Sequence, residues 1–167
     1  DPTGYENRYL IGGEIRTWRG ATAEVLSPVC LRAPDGSLTR APVGVMPMLD
    51  RNESLAALAA ARKAWDHGRG EWPTMRVARR IGCLERFVEA ILKLREEVVR
   101  LTMWEIGKPR KDAENEIDRT VVYIRDTIEA LKEQDRGNAR FVMEEGFIGQ
   151  IRRAPHGVVL CMGPFNY

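Results

Sequence analysis

The stretch "HGVVLCMGPFNY", residues 156–167, decides the fold and stands at the end of the 167-residue chain. Its centre, residues 158–162, is uninterrupted apolar sequence, which is typical of a strand buried on both faces of a parallel sheet covered by helices. A parallel strand needs neighbouring strands, and no sequence follows to make them. Because the first residue is Asp1 rather than Met, we expect the chain to be a piece of a larger α/β protein.

The N-terminal region is predicted to contain short strands and turns. "YLIGG" and "EIRTW" flank Gly12 and Gly13, a pattern that predicts a β-hairpin. "PDG" at residues 34–36 indicates another turn. "VGVMP" at residues 43–47 predicts a further short strand that Pro47 ends, because proline lacks the N–H that a ladder needs.

Helices are predicted for residues 52–66, from Thr74 to Gly107 with a second helix beyond "LREE", and for residues 110–133. Asp50 and Asn52 are alternative caps for the first of them. Each helix carries an apolar stripe that predicts a buried core. The stripes are Leu55, Leu58, Ala61 and Trp65; Val77, Ile81, Leu84, Val88 and Ile91; and Ala113, Ile117, Val121, Ile124, Ile128 and Leu131.

The last predicted helix has a second face, roughly opposite its apolar stripe. Asn115, Arg119, Val122 and Asp126 share this face at about 100° per residue. An arginine there is usually solvated, in this case beside Asp126 as a partner. The alternative is that the face lines a cleft with another part of the molecule, and periodicity alone favours the solvated interpretation.

Composition excludes several classes of function. The net charge is +2, from 26 basic and 24 acidic residues, which argues against a nucleic-acid partner. No apolar run is long enough to span a membrane, and no signal-peptide pattern is present, so we expect neither a membrane association nor secretion. Three cysteines at unrelated spacings, two of them in apolar patterns, predict reduced, buried thiols in a cytoplasmic protein. The two histidines, His67 and His156, are isolated, so no metal site is predicted.

Asn166 is a candidate catalytic residue because of its position in the sequence. In open parallel sheets ligands bind beyond the carboxyl ends of the strands, and Asn166 follows the predicted strand directly. A rigidly held carboxamide there can donate a hydrogen bond to a developing oxyanion. The alternative, which position alone favours, is a turn residue that satisfies local backbone.

Several segments together resemble the N-terminal third of the aldehyde dehydrogenase superfamily. They are "YLIGGEIRTW", "AALAAARKAW", "RRIGCLERFVEAILKLREEVVRLTMWEIGKP" with its E-x-G-K-P turn, and "APHGVVLCMGPFNY", in the family's order. The resemblance implies three parts. Residues 1–140 would be the hairpin and helices of the cofactor-binding domain, residues 141–155 an oligomerisation strand, and residues 156–167 the first strand and asparagine loop of the dinucleotide-binding sheet.

The asparagine loop narrows the resemblance. "PFNY" stands where most members have P-W-N-F, and it is similar to the non-phosphorylating, NADP-dependent glyceraldehyde-3-phosphate dehydrogenases. In that subfamily a tyrosine after the asparagine and an arginine in an E-x-x-R-T stretch hold the substrate phosphate. The resemblance implies these roles for Tyr167 and for Arg119 in "EIDRT". Other members with P-F-N act on semialdehydes or plain aldehydes.

The resemblance also implies a mechanism with NADP or NAD as the cofactor. A cysteine thiolate attacks the aldehyde, Asn166 holds the oxyanion, and a glutamate activates water to hydrolyse the thioester. Gly163 would lie beside the nucleotide. The nucleophilic cysteine and the glutamate lie downstream in the family, so we expect these residues alone to be inactive, and Cys161 is not a substitute. A homodimer or homotetramer is implied. A self-standing helical interaction module and, less favoured, a nucleic-acid binder are the competing hypotheses.

Overall fold

The structure, a computed structural model, describes residues 7–163. Two antiparallel ribbons precede the helices along the chain and a third ribbon follows them, consistent with part of an α/β fold. The strands are β1 (Arg8–Ile11), β2 (Glu14–Thr17), β3 (Thr22–Arg32), β4 (Leu38–Pro47), β5 (Val142–Glu144) and β6 (Phe147–Gly149). The helices are α1 (Arg51–Trp65), α2 (Glu71–Thr74), α3 (Val77–Lys93), α4 (Arg95–Ile106) and α5 (Arg110–Asn138).

The first hairpin is confirmed where the glycine pair predicted it. β1 and β2 pair antiparallel, and Ile11 lies opposite Glu14 across the two-residue turn. Gly12 and Gly13 both have positive φ, 63° and 84°. A type I′ turn requires that conformation at both central positions, which is why glycine occupies them.

The second ribbon is longer than the sequence predicted. β3 and β4 pair antiparallel over most of their length, whereas only residues 43–47 were expected to be a strand. β3 contains Pro28, and proline is unfavourable in a central strand because it lacks the N–H for the ladder. In a two-stranded ribbon each strand has an unpaired edge, where proline removes no ladder bond. The register also shifts between Leu26 and Cys30, so that Pro28 lies in an irregular stretch of β3.

Helix α1 forms as predicted, but its apolar side is not a core. The Asp50 carboxylate accepts hydrogen bonds from the backbone N–H of Asn52 and of Glu53, at 2.8 and 3.0 Å, and so Asp50 is the cap. No residue of α1 is buried, and Leu55 and Leu58 are 50% and 48% exposed. The prediction of a buried stripe here was wrong, because β1 and α2 pack against α1 and leave that side uncovered.

The remaining helices follow their predicted stripes, with shifted ends. Thr74 does not cap α3: it lies in α2, where its hydroxyl donates to the Gly70 carbonyl at 2.8 Å. α4 is a separate helix, as proposed, and Gly107 ends it in the left-handed conformation at φ 69°. α5 continues beyond residue 133 to Asn138.

The core lies between α3, α4 and α5, which we call the helical layer. Val99 is fully buried at 0% exposure and packs with Ala113 and Ile117. Farther along α5, Val121 and Ile128 are buried, as the helical period predicted. On α3, Ile81 and Val88 are buried in the same way. Burial of these stripes is the main stabilising contribution in this part of the chain.

Ser27 fastens the β3–β4 ribbon to the helical layer. Its side chain is fully buried, its hydroxyl donates to the Trp104 carbonyl on α4, and its oxygen accepts from the Val29 N–H at 3.0 Å. Arg40 of β4 donates to the carbonyls of Ser27 and Leu26, each at 2.8 Å. A buried hydroxyl with both its donor and its acceptor satisfied fixes the ribbon against α4.

The last part of the chain differs from the predicted strands. Residues 141–155, which the resemblance assigned to an oligomerisation strand, contain two short strands instead: β6 ends at Gly149 and pairs with β5 as a hairpin. Residues 158–162 form no strand and lie exposed, with Leu160 at 80% and Met162 at 81%. The physical reason is that a buried strand requires a pairing neighbour and a covering layer, and residues 7–163 place neither beside this run.

Candidate functional site

Arg119 lies where its helical period put it. It is exposed on α5, on the face that also carries Asn115, Val122 and Asp126, while Ile117 and Val121 of the opposite face are buried. Within residues 7–163 no ion pair joins Arg119 to Asp126, the partner that the solvated interpretation suggested. The guanidinium therefore stands at the surface on a rigid helix, where its planar set of donors faces solvent.

A lysine from the turn between α4 and α5 binds the carboxylate of the glutamate three positions before Arg119. Lys108 Nζ donates to Glu116 Oε2, and the two side chains are 23% and 46% exposed. Glu116 begins the "EIDRT" stretch and Lys108 belongs to the "EIGKP" turn, so the two segments that carried the family resemblance are in direct contact. The sequence alone does not predict this pair, because the two residues are eight positions apart across a turn.

A second cation holds the other acid beside Arg119. Arg95, at the start of α4, donates from Nε and Nη2 to the two oxygens of Asp118, both at 2.7 Å. These hydrogen bonds hold the pKa of Asp118 below its ordinary value and raise that of Arg95. The bidentate geometry fixes α4 against α5 just beside the candidate face.

Glycine is required at the turn that carries Lys108. Gly107 has φ 69°, and a Cβ on it would lie 3.0 Å from Cγ of Pro28 in β3. A side chain would therefore be strained by the backbone and would also press on the ribbon. This close approach fixes where Lys108 leaves the helical layer.

The residues beyond β6 make few contacts that build a site. Gly157, at φ 101°, packs against the Trp65 indole, and a Cβ added to it would lie 3.6 Å from the ring. Gly163 is exposed, and no atom from elsewhere in residues 7–163 lies within 4 Å of the position that a Cβ would take. Cys161 and Cys30 are exposed and Cys83 is half-buried, so the expectation of buried thiols was wrong. Asn166 and Tyr167, the predicted oxyanion donor and phenol, lie outside the described residues.

A nicotinamide cofactor finds no cradle in this part of the chain. The open space at Gly163 would let a nucleotide approach the backbone, but residues 7–163 place no converging donors around it. An open hollow of about 1170 Å³ lies elsewhere, between the β1–β2 hairpin and α1, and none of the predicted site residues lines it.

Two further properties concern the described part of the chain. None of the helices in residues 7–163 combines the length and the apolar composition that crossing a bilayer requires. The same residues bring together no group of three His, Cys, Asp or Glu side chains that could hold a metal ion.

Comparison with known proteins identifies the class. A sequence model of the aldehyde dehydrogenase family matches residues 33–167, and the chain belongs to this family. The match covers β4, the helical layer, Arg119 and the asparagine loop. It therefore includes every residue that the sequence proposed for the site.

Individual relatives are semialdehyde dehydrogenases. N-succinylglutamate 5-semialdehyde dehydrogenase of Chromobacterium violaceum is 31% identical over 112 residues, which are 67% of this chain and 22% of the relative. The enzyme of the same name from Burkholderia thailandensis is 28% identical over 148 residues, 89% of this chain and 29% of the relative. Malonate-semialdehyde dehydrogenase 2 of Shouchella clausii is 28% identical over 125 residues, 75% of this chain and 25% of the relative. The chain thus spans between a fifth and a third of the length of these relatives.

Proposed function

We propose that the protein to which this chain contributes oxidises an aldehyde that carries an anionic group, through a cysteine thioester. One observation carries the proposal: Arg119 stands exposed on a rigid helix while the carboxylates beside it are bonded to other cations. A guanidinium in that setting suits a phosphate or a carboxylate, because it donates a planar pair of N–H groups to two oxygens. Family membership supports the chemistry.

Glyceraldehyde 3-phosphate is the substrate that the asparagine loop favours. In this proposal the phenol of Tyr167 in "PFNY" is a second donor to the phosphate, in addition to Arg119. In this proposal Asn166 donates to the thiohemiacetal oxyanion, an interaction worth about 2.7–4 kcal/mol in the transition state. NADP, or alternatively NAD, is the proposed cofactor, with Gly163 beside the nucleotide, on the family resemblance. The nucleophilic cysteine and the general base would come from outside these residues.

A carboxylate-bearing semialdehyde is the second candidate. The relatives from Chromobacterium violaceum and Shouchella clausii are named for N-succinylglutamate 5-semialdehyde and malonate semialdehyde, which both carry carboxylates. Arg119 would serve such a substrate in the same way, with a single carboxylate in place of a phosphate. The two candidates therefore share one recognition chemistry and differ in the anion.

We further propose that residues 141–155 join the subunits of a homodimer or homotetramer. In this proposal residues 1–140, which precede them, and residues 156–167, which follow them, belong to the cofactor-binding domain. The β5–β6 hairpin presents large apolar side chains to solvent, with Met143 at 77% and Phe147 at 78% exposure. Its edges are unpaired in a two-stranded ribbon, and an unpaired edge can add to a partner's sheet. Free thiols at all three cysteines fit a cytoplasmic setting.

The test uses protein that spans the full length of the relatives and compares three aldehydes: glyceraldehyde 3-phosphate, malonate semialdehyde and unphosphorylated glyceraldehyde. We expect Arg119→Leu to raise KM for the anionic substrate by about tenfold or more, because a hydrogen bond to a charged group contributes about 1.5–3 kcal/mol. The rise for glyceraldehyde should be much smaller. The preferred anionic aldehyde, by kcat/KM, decides between the two candidates.

Arg125→Leu is the matched control for this test. Arg125 is also an exposed arginine of α5, but it lies at a different azimuth from Arg119. Its loss should not change the ratio between anionic and plain aldehydes. An equal rise in KM for all three aldehydes in Arg119→Leu would contradict the proposed role of Arg119.

A further inference from the structure

The feature that extends the proposed function is the neighbourhood of Arg119 along α5. Residues three or four positions apart on a helix are neighbours, and a glutamate three positions before an arginine is within reach of an ion pair with it. Glu116 stands at that spacing from Arg119. A bound Glu116 carboxylate would occupy the very donors that an anionic substrate needs.

In this structure Glu116 is bonded elsewhere. Its carboxylate is bound by Lys108, whose side chain is only 23% exposed and is held by the turn that Gly107 forms against Pro28. Partial shelter from water makes such a contact stronger than a fully exposed pair. The other nearby acid, Asp118, is bonded to Arg95 through both its oxygens.

The two cations come from the α4 side of the α4–α5 junction, whereas Arg119 faces away from it. The two carboxylates in the helical turn that precedes Arg119, those of Glu116 and Asp118, are therefore held toward α4. The result is a cation left without a bonded carboxylate among residues 7–163, although acids surround it in sequence.

We infer that Lys108 is a positioning residue that sets the preference for anionic aldehydes: by binding the Glu116 carboxylate it keeps the Arg119 guanidinium available to the substrate's phosphate or carboxylate. The inference rests on the proposed function, in which Arg119 binds that anion. In this inference Lys108 acts through Glu116 and Arg119 and not by contact with the substrate.

Removal of Lys108 should weaken binding of the anionic aldehyde in two ways. A released Glu116 competes with the substrate for Arg119, and its uncompensated charge repels the anion. An exposed helix pair of this spacing is weak, so the competition alone changes apparent binding by about two- to threefold, and the repulsion adds to it. We therefore expect Lys108→Met to raise KM for the anionic aldehyde by about threefold or more, with a smaller change for glyceraldehyde.

The experiment compares KM and kcat for the preferred anionic aldehyde and for glyceraldehyde, in protein that spans the relatives' length. The variants are Lys108→Met, Lys108→Arg, the double variant Lys108→Met with Glu116→Gln, and Lys111→Met. Lys111 is an exposed lysine in the first turn of α5 and controls for the loss of one positive charge. Lys108→Arg should retain the preference, because it retains a cation at the turn.

The double variant separates positioning from packing. If Lys108 acts through Glu116, the added Glu116→Gln removes the competitor and returns KM for the anionic aldehyde to near its original value. If Lys108→Met impairs both aldehydes equally, or if Glu116→Gln does not restore the preference, the inference is overturned. Arg119→Leu, measured alongside, separates failure of the proposed function from failure of this inference. If Arg119→Leu keeps the normal preference for the anionic aldehyde, the proposed function itself is overturned. If Arg119→Leu loses that preference and Lys108→Met keeps it, only the role of Lys108 is overturned.

Discussion

The helical layer and the C-terminal segment, residues 156–163, both contain neighbouring apolar side chains and differ in whether these are buried. Val99, beside Val98 on α4, is fully buried, whereas Val159, beside Val158, is 67% exposed. Both valine pairs would favour burial by the same free energy per unit of apolar area. The difference lies in what surrounds them: α3 and α5 pack over α4, and no strand of residues 7–163 pairs with the C-terminal segment.

The comparison shows that an apolar sequence favours burial but becomes buried only where other elements of the chain cover it. For a helix, the backbone hydrogen bonds are satisfied within the element, so α5 can form and then find a partner for its stripe. For a strand, both the hydrogen bonds and the covering layers come from elsewhere. Three stability experiments would break or sharpen this comparison.

The largest effect is expected from an aspartate at the buried valine. Val99→Asp places an unpaired carboxylate among Ala113, Ile117 and Ile91, and we expect it to lower the free energy of unfolding by more than about 3 kcal/mol. Val159→Asp, the matched change at the exposed valine, should alter the free energy of unfolding of this 167-residue chain by no more than about 0.5 kcal/mol. Urea denaturation followed by circular dichroism measures both. Similar losses in the two variants would show that the C-terminal segment is packed after all.

An intermediate effect is expected where the ribbon meets the helical layer. Ser27→Ala leaves the Trp104 carbonyl and the Val29 N–H without the partner that they share, at a cost of about 1–3 kcal/mol. Ser54→Ala removes an exposed hydroxyl that donates to the Asp50 carbonyl, and should cost less than about 0.5 kcal/mol. Thermal unfolding of the two variants under one buffer gives the difference. Equal melting temperatures would count against Ser27 as the fastening point.

The smallest effect concerns the ion pair between α4 and α5. Because Arg95 holds the pKa of Asp118 below its ordinary value, the pair stabilises the fold at pH values above that ordinary value, and the contribution is lost as pH falls through the folded pKa. The loss therefore lies at about pH 4 and below. Asp118→Asn should unfold with a shallower dependence on pH in that window than the original chain, as measured by unfolding at pH 7 and pH 3. Arg95→Leu should flatten the same limb, and an unchanged slope in both would contradict the assignment.

What the sequence predicted well was local. The β1–β2 turn follows from two glycines, and the stripes of α3 and α5 follow from spacing alone, which also placed Arg119 on an exposed face. β3 was not predicted, and its sequence explains why: an exposed ribbon has no strong apolar alternation, and this strand contains a proline. The Lys108–Glu116 pair was missed because it depends on how a turn folds back onto the next helix. Asn166 and Tyr167 stay predictions.

The Ser27 hydrogen bond to Trp104 has a consequence for the order of folding. It joins residues 77 positions apart, and closing a loop of that length costs about 4 kcal/mol of chain entropy. At synthesis rates of about 5–20 residues per second, the strand emerges from the ribosome roughly 4–15 s before its anchor exists. The nascent β3–β4 ribbon must therefore remain undocked, with the Ser27 hydroxyl hydrated, until the whole of α4 has been made.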